Sequence, residues 1–224
     1  MDGILRAEIG WQEAIGEALT RIARPIATDA RLLPRQANAG ERPPWNPADF
    51  PPPRRAATLL LVYPGEQGEL TVPLTVRRPD LRAHAGEVSL PGGAVDPEDA
   101  SPRDAALREA WEEIGVAPTA VTVLGTLDEV WIPVSNFRLK PFVGALRDRP
   151  ELVPHSAEVA SIVEFPVRLL LDDEAISDHL VSGPGWTLRA GAYRHAEQVI
   201  WGATARTLAM FASVLREARH RGLT

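Results

Sequence analysis

Three glutamates carry the most informative spacing in the chain, because Glu109, Glu112 and Glu113 recur at positions i, i+3 and i+4. On a helix that turns by about 100° per residue, this spacing places their carboxylates on one side. Clustered carboxylate oxygens are the ligands that hard divalent cations prefer, and magnesium commonly keeps some of its waters for a phosphate. A solvated acidic face is the alternative interpretation of such a triplet, so the neighbouring sequence has to distinguish the two.

A pair of glycines precedes the triplet. Gly92 and Gly93 follow a short strand predicted over residues 87–90. Glycine lets the backbone approach a ligand or a metal closely. Two adjacent glycines alone are typical of a turn, but two glycines followed by the glutamate triplet are typical of a binding loop. We therefore predict that Gly92 and Gly93 contribute to substrate binding.

The triplet lies in a helix predicted over residues 102–114. Ser101 is a favourable N-cap, and Pro102 suits the first helical position. Asp104 occupies the acidic position of a capping box, and Gly115 supplies the left-handed residue that ends the helix. Helical spacing then predicts one apolar arc that faces a sheet, formed by Leu107, Ala110, Trp111 and Ile114.

Further elements are predicted on both sides of this helix from the period of the apolar residues. Amphipathic helices are predicted over residues 11–22 and 200–218, and strands over residues 56–63, 70–77, 121–127, 138–146 and 162–167. The first two strands form a hairpin around Pro64-Gly65. Strands before and after a central helix, with another helix at the end, predict an α+β fold in which a mixed sheet lies between helices, as an α/β/α sandwich.

The N-terminal region differs from the rest in composition. Six prolines lie within residues 42–53, which excludes a helix or a central strand there and predicts an extended arm. A plain linker is the alternative, but Trp45 and Phe50 favour an arm laid over the domain. We therefore divide the chain into an appendage of residues 1–50, which is not an independent domain, and a domain of residues 51–224.

The composition excludes several classes of function. The chain has 224 residues, 45% of them hydrophobic, and lacks cysteine, which excludes a disulfide scaffold, a thiolate metal site and a cysteine nucleophile. The formal charge of −6 disfavours nucleic acid and anionic membranes as partners. No apolar run approaches the roughly 20 residues of a membrane span, and the N-terminus does not resemble a signal peptide. We expect a cytoplasmic protein that is a monomer or a homodimer.

The negative charge is concentrated around the glutamate triplet. Residues 93–116 contain seven acids and two bases, whereas the remainder of the chain is almost neutral. Metal ions that arrive with a phosphate-rich ligand would balance such a local excess. The overall charge therefore does not argue against a small substrate that carries phosphate.

The triplet and its surroundings resemble the signature of the Nudix hydrolases. The second half of that signature, Arg-Glu-apolar-x-Glu-Glu-x-Gly-apolar, is matched at every specified position by Arg108-Glu109-Ala110-Trp111-Glu112-Glu113-Ile114-Gly115-Val116. The first half departs from the signature, because Asp99 stands where a glutamate is usual and the loop before Arg108 is one residue longer. The resemblance implies that Asp99 or Glu98 bonds Arg108.

The departure itself is similar to the coenzyme A pyrophosphatase branch of that family, which carries a stretched loop with aspartate. The branch also has an upstream motif, in which Arg77, Arg82 and Gly86 occupy matching positions of this chain. Arg78 stands where a small residue is usual, and Leu90 stands where phenylalanine is common. The resemblance covers residues 53–215.

These residues predict hydrolysis by a water molecule that a metal ion activates. Clustered carboxylates with nearby arginines, and no nucleophilic serine or cysteine motif, point to direct attack of water on a phosphoanhydride. The resemblance implies that the substrate is coenzyme A or an acyl-CoA, cut into adenosine 3′,5′-bisphosphate and 4′-phosphopantetheine or its acyl form. It also implies Mg²⁺ as the cofactor, with Mn²⁺ as the alternative ion.

Individual roles follow from this combination. Glu109 and Glu113 are the predicted metal ligands, and Glu112 is a third ligand or a neighbour that acts through them. Arg108 orients these carboxylates, and Glu158 is the candidate general base, for which an exposed loop acid is the alternative. The substrate phosphates are assigned to Arg77 and Arg82, for which salt bridges to the protein's own acids are the alternative.

Two other functions remain open from the sequence. One is a Nudix pyrophosphatase that acts on another nucleoside diphosphate derivative, such as ADP-ribose, or on a dNTP. The other is a Nudix-fold binding module without catalysis. Such modules have usually lost the signature carboxylates. This chain keeps all three glutamates.

Overall fold

The computed structural model describes residues 6–37, 46–80, 86–155, 157–172, 174–183 and 186–220. Within them the helices are α1 (Trp11–Arg21), α2 (Pro102–Ile114) and α3 (Gly202–His220). The strands are β1 (Arg35–Gln36), β2 (Arg54–Pro64), β3 (Leu70–Arg77), β4 (Val88–Ser89), β5 (Gly92–Ala94), β6 (Thr122–Thr126), β7 (Val130–Ile132), β8 (Phe137–Ala145), β9 (Val159–Pro166), β10 (Ile176–Gly183), β11 (Trp186–His195) and β12 (Gln198–Ile200).

The larger sheet is built around β2, which pairs with strands on both edges. It runs parallel to β8 from Arg54 opposite Phe137 to Val62 opposite Ala145. Its other edge pairs antiparallel with β5 and, at the tip of the predicted hairpin, with β3. Strands β6 and β7 pair antiparallel with β8, and β4 and β9 pair antiparallel with β3. The sheet is therefore mixed, as the sequence predicts.

Alternate residues of β2 face two different helical layers. Ala57, Leu59, Leu61 and Tyr63 pack with the buried side chains of α2. Leu60 and Val62 belong to the second core cluster, which also contains buried residues of α1 and α3. Because side chains alternate across a strand, one apolar run can supply both cores. The predicted α+β class, with a mixed sheet between helices, is confirmed.

A second, smaller sheet lies in a region for which the sequence pattern predicts no strands. Strand β11 pairs antiparallel with β1, β10 and β12. The strands mix polar residues with glycines, so neither strict alternation nor a continuous apolar run marks them. Strand β1 adds only Arg35 and Gln36, from a part of the chain far away in sequence.

The N-terminal region packs against the body of the protein. The apolar face of α1 is buried, and α1 contacts α3 and β6. The ring of Phe50 meets that of Trp131 edge to face, with centroids 5.3 Å apart. Trp45, the other aromatic residue of the predicted arm, lies outside the described residues. Among the residues described, no helix is both long enough and apolar enough to cross a membrane.

Candidate active site

Helix α2 begins and ends where its capping residues predict. The hydroxyl of Ser101 accepts the backbone N–H of Asp104 at 3.3 Å and donates to the carboxylate of that residue at 2.7 Å. Gly115 has φ of 77° and donates its N–H to the carbonyl of Trp111 at the other end. These caps fix the helix register and hence the direction in which the three glutamates project.

The buried face of α2 is rotated relative to the predicted apolar arc. Trp111 is 54% exposed, so the expectation that it faces the sheet is wrong. Glu113 is only 5% exposed and lies on the buried side with Ala105 and Ala106. Small side chains at those two positions let the helix lie against β2 on that side, which moves the bulky indole to the rim. One of the three glutamates therefore enters the protein rather than the solvent.

The two glycines lie directly beneath these carboxylates. A Cβ atom on Gly92 would come within 2.5 Å of the carbonyl oxygen of Ala57, so no larger residue fits between β5 and β2 there. A Cβ atom on Gly93 would collide with the carboxylate of Glu109. The N–H of Gly92 donates to Oε2 of Glu113 at 3.3 Å. The glycine loop thus touches the carboxylates themselves.

Thr58 anchors this loop and was not singled out by sequence reasoning. Its hydroxyl donates to the carbonyl of Pro91 at 2.6 Å, and the N–H of Leu59 donates to the same oxygen at 2.9 Å. Thr58 is the one residue with an aliphatic hydroxyl inside the apolar run of residues 56–63, and this is the signal that could have identified it. These two bonds hold the residue that immediately precedes Gly92.

Burial raises the pKa of two of the glutamates. The pKa of Glu113 rises to about 8, first because the carboxylate is removed from water and second because Glu109 lies nearby. The N–H of Gly92 and the charge of Arg77 oppose this rise without cancelling it. Burial also raises the pKa of Glu109, against the opposing effect of Arg108. The site therefore holds more carboxylate charge than its surroundings balance.

Arg108 is the centre of the ion pairs around the site. Its Nε and Nη2 atoms donate to the two oxygens of Asp99, each at 3.0 Å. Its Nη1 atom donates to Glu109 at 3.0 Å and to Glu112 at 2.9 Å. Of the two acids that the sequence left open, Asp99 is the one that bonds Arg108. That bond lowers the pKa of Asp99 and raises the pKa of Arg108.

The donor chemistry of the site fits a hard divalent cation. Glu109, Glu112 and Glu113 offer only oxygen atoms, and the raised pKa values of Glu109 and Glu113 show charge that a cation would stabilise. In the part of the chain that the structure describes, no three acidic or histidine side chains converge as closely as metal ligands do. Nη1 of Arg108 instead lies against both Glu109 and Glu112. Glu112 is half exposed.

The other predicted site residues lie at different distances from this centre. Arg77 ends β3, and its charge acts on Glu113; its buried Nε has no hydrogen-bond partner among the described residues. Glu158 is exposed, and its charge contributes to the raised pKa of both Glu109 and Glu113. Its carbonyl accepts the N–H of Arg78 at 2.9 Å. Arg82 falls within residues 81–85, outside the described residues.

Comparisons of this chain with known proteins agree on one family. Residues 52–182 match the NUDIX domain family. Nudix hydrolase 15, mitochondrial, from Arabidopsis thaliana is 36% identical over 171 residues, which are 74% of this chain and 60% of that protein. The uncharacterized Nudix hydrolase NudL of Salmonella newport is 39% identical over 158 residues, 69% of this chain and 79% of that protein.

Coverage differs among the relatives and the solved structures. The chain spans 60% of the length of Nudix hydrolase 15 and 56% of Nudix hydrolase 22, chloroplastic, from the same plant. The crystal structure of RenU, a Nudix hydrolase from M. Smegmatis, superimposes with a TM-score of 0.48 and 21% identity, over 77% of this chain and 88% of that one.

Proposed function

The chain belongs to the Nudix hydrolase family, and from that premise we propose that it hydrolyses the diphosphate bond of coenzyme A or an acyl-CoA. The products are adenosine 3′,5′-bisphosphate and 4′-phosphopantetheine, or its acyl form. The observation that carries the proposal is the pair of Glu113, which is buried, and Glu109, which is partly buried; the pair touches the glycine loop, and both carboxylates have raised pKa values.

The proposed cofactor is Mg²⁺, with Mn²⁺ as the alternative. Nudix hydrolases generally need divalent metal cations. In this chain Glu109, Glu112 and Glu113 would hold the ion. A bound divalent cation neutralises phosphate oxygens, makes phosphorus more electrophilic and lowers the pKa of water.

Asp99 and Arg108 position the carboxylates. The fork of two hydrogen bonds to Asp99 fixes the guanidinium plane, and the remaining Nη1 donor reaches Glu109 and Glu112. Charge-assisted forks of this kind are geometrically strict. Arg108 therefore presents the two carboxylates in one orientation and screens their mutual repulsion.

Glu158 is the proposed general base. Its carboxylate is exposed, and its charge acts on Glu109 and Glu113, so it stands at the open side of the site. It takes a proton from the attacking water as the oxygen bonds to phosphorus. The bridging P–O bond then breaks, and the second phosphate leaves with the bridging oxygen. A proton-accepting carboxylate of this kind typically contributes about 10²–10⁴-fold to the rate.

The choice of coenzyme A rests on two features of the sequence, each of which has a counterpart in the structure. The loop before Arg108 is one residue longer than the general signature, and Asp99 in that loop bonds Arg108. Arg77 stands at its motif position beside Glu113, with an unpartnered Nε among the described residues. We assign Arg77 and Arg82 to the substrate phosphates.

Product analysis tests the proposal directly. The purified protein is incubated with coenzyme A, acetyl-CoA, ADP-ribose and dNTPs, each with Mg²⁺ or Mn²⁺ and each with EDTA, and the products are separated by mass. We expect metal-dependent formation of adenosine 3′,5′-bisphosphate from the CoA species. The Glu113→Gln variant is the control for contaminating phosphatases. Steady hydrolysis of ADP-ribose or dNTPs with coenzyme A untouched would assign a different substrate.

A further inference from the structure

A pocket with aromatic walls lies outside the proposed catalytic residues. It has a volume of about 350 Å³ and is lined by Phe50, Pro51, Pro52, Pro53, Trp131, Asn136 and Arg138. Small-molecule sites typically begin at about this size and combine apolar walls with a few polar groups. The lining fits that description, with two aromatic rings, three prolines, one amide and one guanidinium.

The walls of the pocket are held in place by contacts among themselves. The rings of Phe50 and Trp131 meet at 78°, so they form a corner rather than covering each other face to face. The indole N–H of Trp131 donates to Oδ1 of Asn136 at 3.0 Å, and Nδ2 of Asn136 donates to the carbonyl of Pro51 at 3.0 Å. These bonds join the arm to β7 and to the turn that precedes β8. A ligand would therefore meet preformed walls, which reduces the entropy lost on binding.

The strand register places this pocket on the catalytic face of the sheet. Ala57 of β2 lies opposite Gly93 and packs with α2. Arg55, two residues earlier, projects to the same face and lies opposite Arg138, which in turn lies opposite Trp131 of β7. The pocket therefore opens on the face that carries the carboxylates. Pro53 immediately precedes β2 and is four residues before Ala57, so about 13 Å of extended chain joins these two residues.

The polar side of the pocket is cationic. Arg138 is 56% exposed, and its Nε is 3.9 Å from Glu129, too far for a hydrogen bond. Lys140, the one lysine of the chain, lies opposite Ala57 and so projects to the same face, at the level of Gly93 in the register. With Arg55, three cationic side chains therefore lie on this face between the level of the aromatic corner and the level of Gly93. Phosphate groups would be stabilised along this interval.

We propose that this pocket binds the nucleobase of a nucleoside diphosphate derivative whose diphosphate lies at Glu109 and Glu113. The proposal rests on the proposed function and assigns the nucleoside part of the substrate to the pocket and the diphosphate to the carboxylates. An aromatic corner stacks a planar base, and Arg138 lies where the sugar or its phosphate leaves the pocket. The stretch of about 13 Å between Pro53 and Ala57 is within the reach of an extended nucleotide. An apolar acyl chain would make no favourable electrostatic interaction with the cationic side chains on this face.

Kinetics of pocket variants test the proposal. Trp131→Leu and Phe50→Leu are compared with Trp131→Phe, which keeps a ring, and with Val134→Ala, an exposed residue of the same turn that does not line the pocket. We expect KM for coenzyme A to rise about tenfold or more in the two leucine variants, the loss expected for one base–aromatic stack. We expect kcat to change less than about twofold, because the carboxylates are untouched. Unchanged KM in both leucine variants overturns the proposal.

Nucleotide binding without turnover separates this proposal from the proposed function. ADP is titrated calorimetrically into each variant in the presence of EDTA, so no hydrolysis is needed. Binding by the wild-type chain and by Trp131→Phe, together with its loss in Trp131→Leu, supports the pocket even if coenzyme A is not cleaved. Equal binding by the wild type and Trp131→Leu, or no binding by the wild type, overturns it.

Discussion

Two carboxylates, Glu164 of β9 and Glu113 of α2, are treated in opposite ways by their surroundings. Glu164 accepts the hydroxyl of Tyr63 at 2.8 Å and two donors of Arg149. Burial alone would raise its pKa, but these hydrogen bonds lower it below its usual value. Glu113 receives one N–H at 3.3 Å and lies near Glu109, and its pKa rises to about 8.

The difference separates a carboxylate with a structural role from one that is suited to bind a cation. Glu164 has its charge balanced by the protein, so a cation would gain little there. Glu113 is buried beside another acid and is balanced only in part by Arg77. A protein that keeps a carboxylate in such a place loses stability by doing so, which is typical of functional sites. The following predictions change one of these two carboxylates or the ion pairs beside Glu113.

The largest expected effect is on turnover. Glu113→Gln and Glu112→Gln should each lower kcat/KM by about 10²–10³-fold or more, because a divalent cation supplies several kcal/mol of transition-state stabilisation. Glu164→Gln removes a carboxylate whose charge the protein already balances, and it should change kcat/KM less than about threefold. The measurement is metal-dependent product formation at saturating Mg²⁺, with circular dichroism to show that all three variants fold.

Survival of activity in both Glu112→Gln and Glu113→Gln would show that the metal ligands are wrongly assigned. Equal losses in Glu113→Gln and Glu164→Gln would show that the two carboxylates do not differ in role.

A smaller effect is expected from the fork between Asp99 and Arg108. Asp99→Asn removes the negative charge and replaces one of the two acceptor oxygens that fix the guanidinium by an NH2 donor, so Glu109 and Glu112 lose their common orientation. We expect kcat/KM to fall by about 10–100-fold, the usual cost of losing a residue that orients metal ligands. The apparent affinity for Mg²⁺ should weaken in parallel, which a merely structural role would not produce. A matched variant, Glu98→Gln, should behave as the wild type.

The smallest effect is on stability, and it has opposite signs at the two carboxylates. The folded chain keeps a proton on Glu113 up to about pH 8, whereas the unfolded chain releases it near the ordinary glutamate pKa of about 4.3. Stability therefore falls as pH rises through this window, and Glu113→Gln removes that fall. In EDTA its Tm should match the wild type at pH 5 and exceed it at pH 8 by about 5 °C or more.

Glu164 has a lowered pKa, so its contribution has the other sign. Its stabilisation is present above the usual glutamate pKa and is lost as pH falls through the lowered value. Glu164→Gln should therefore lower Tm at pH 7, with a deficit that shrinks toward acidic pH. Thermal unfolding of both variants across pH checks the two signs, and a pH-independent difference in either variant would contradict the account.

The local parts of this site could be predicted from the sequence because they depend on neighbours along one helix and one loop. The caps of α2, the side of the helix that carries Glu109 and Glu112, and the glycine pair all follow from spacing and residue type. The sequence predicts that either Asp99 or Glu98 bonds Arg108, and only the folded loop shows that Asp99 does. Hydrogen bonds within such a loop depend on its path, which periodicity does not reveal.

Features that depend on distant packing could not be predicted in the same way. The exposure of Trp111 and the burial of Glu113 are decided by how closely α2 lies on β2, not by the helical wheel alone. The second sheet joins β1 to β11 across more than 150 residues, with no strict alternation to mark its strands. The corner formed by Phe50 and Trp131 likewise joins an arm to a strand far along the chain.

Direct measurement of metal binding tests the central claim, that the carboxylates of α2 form a cation site whereas Glu164 does not. Mn²⁺ is titrated into the wild-type chain, Glu113→Gln and Glu164→Gln, and free Mn²⁺ is followed by electron paramagnetic resonance. We predict that Glu164→Gln binds as the wild type does and that Glu113→Gln raises the Kd at least about tenfold. An unchanged Kd in Glu113→Gln would contradict the account.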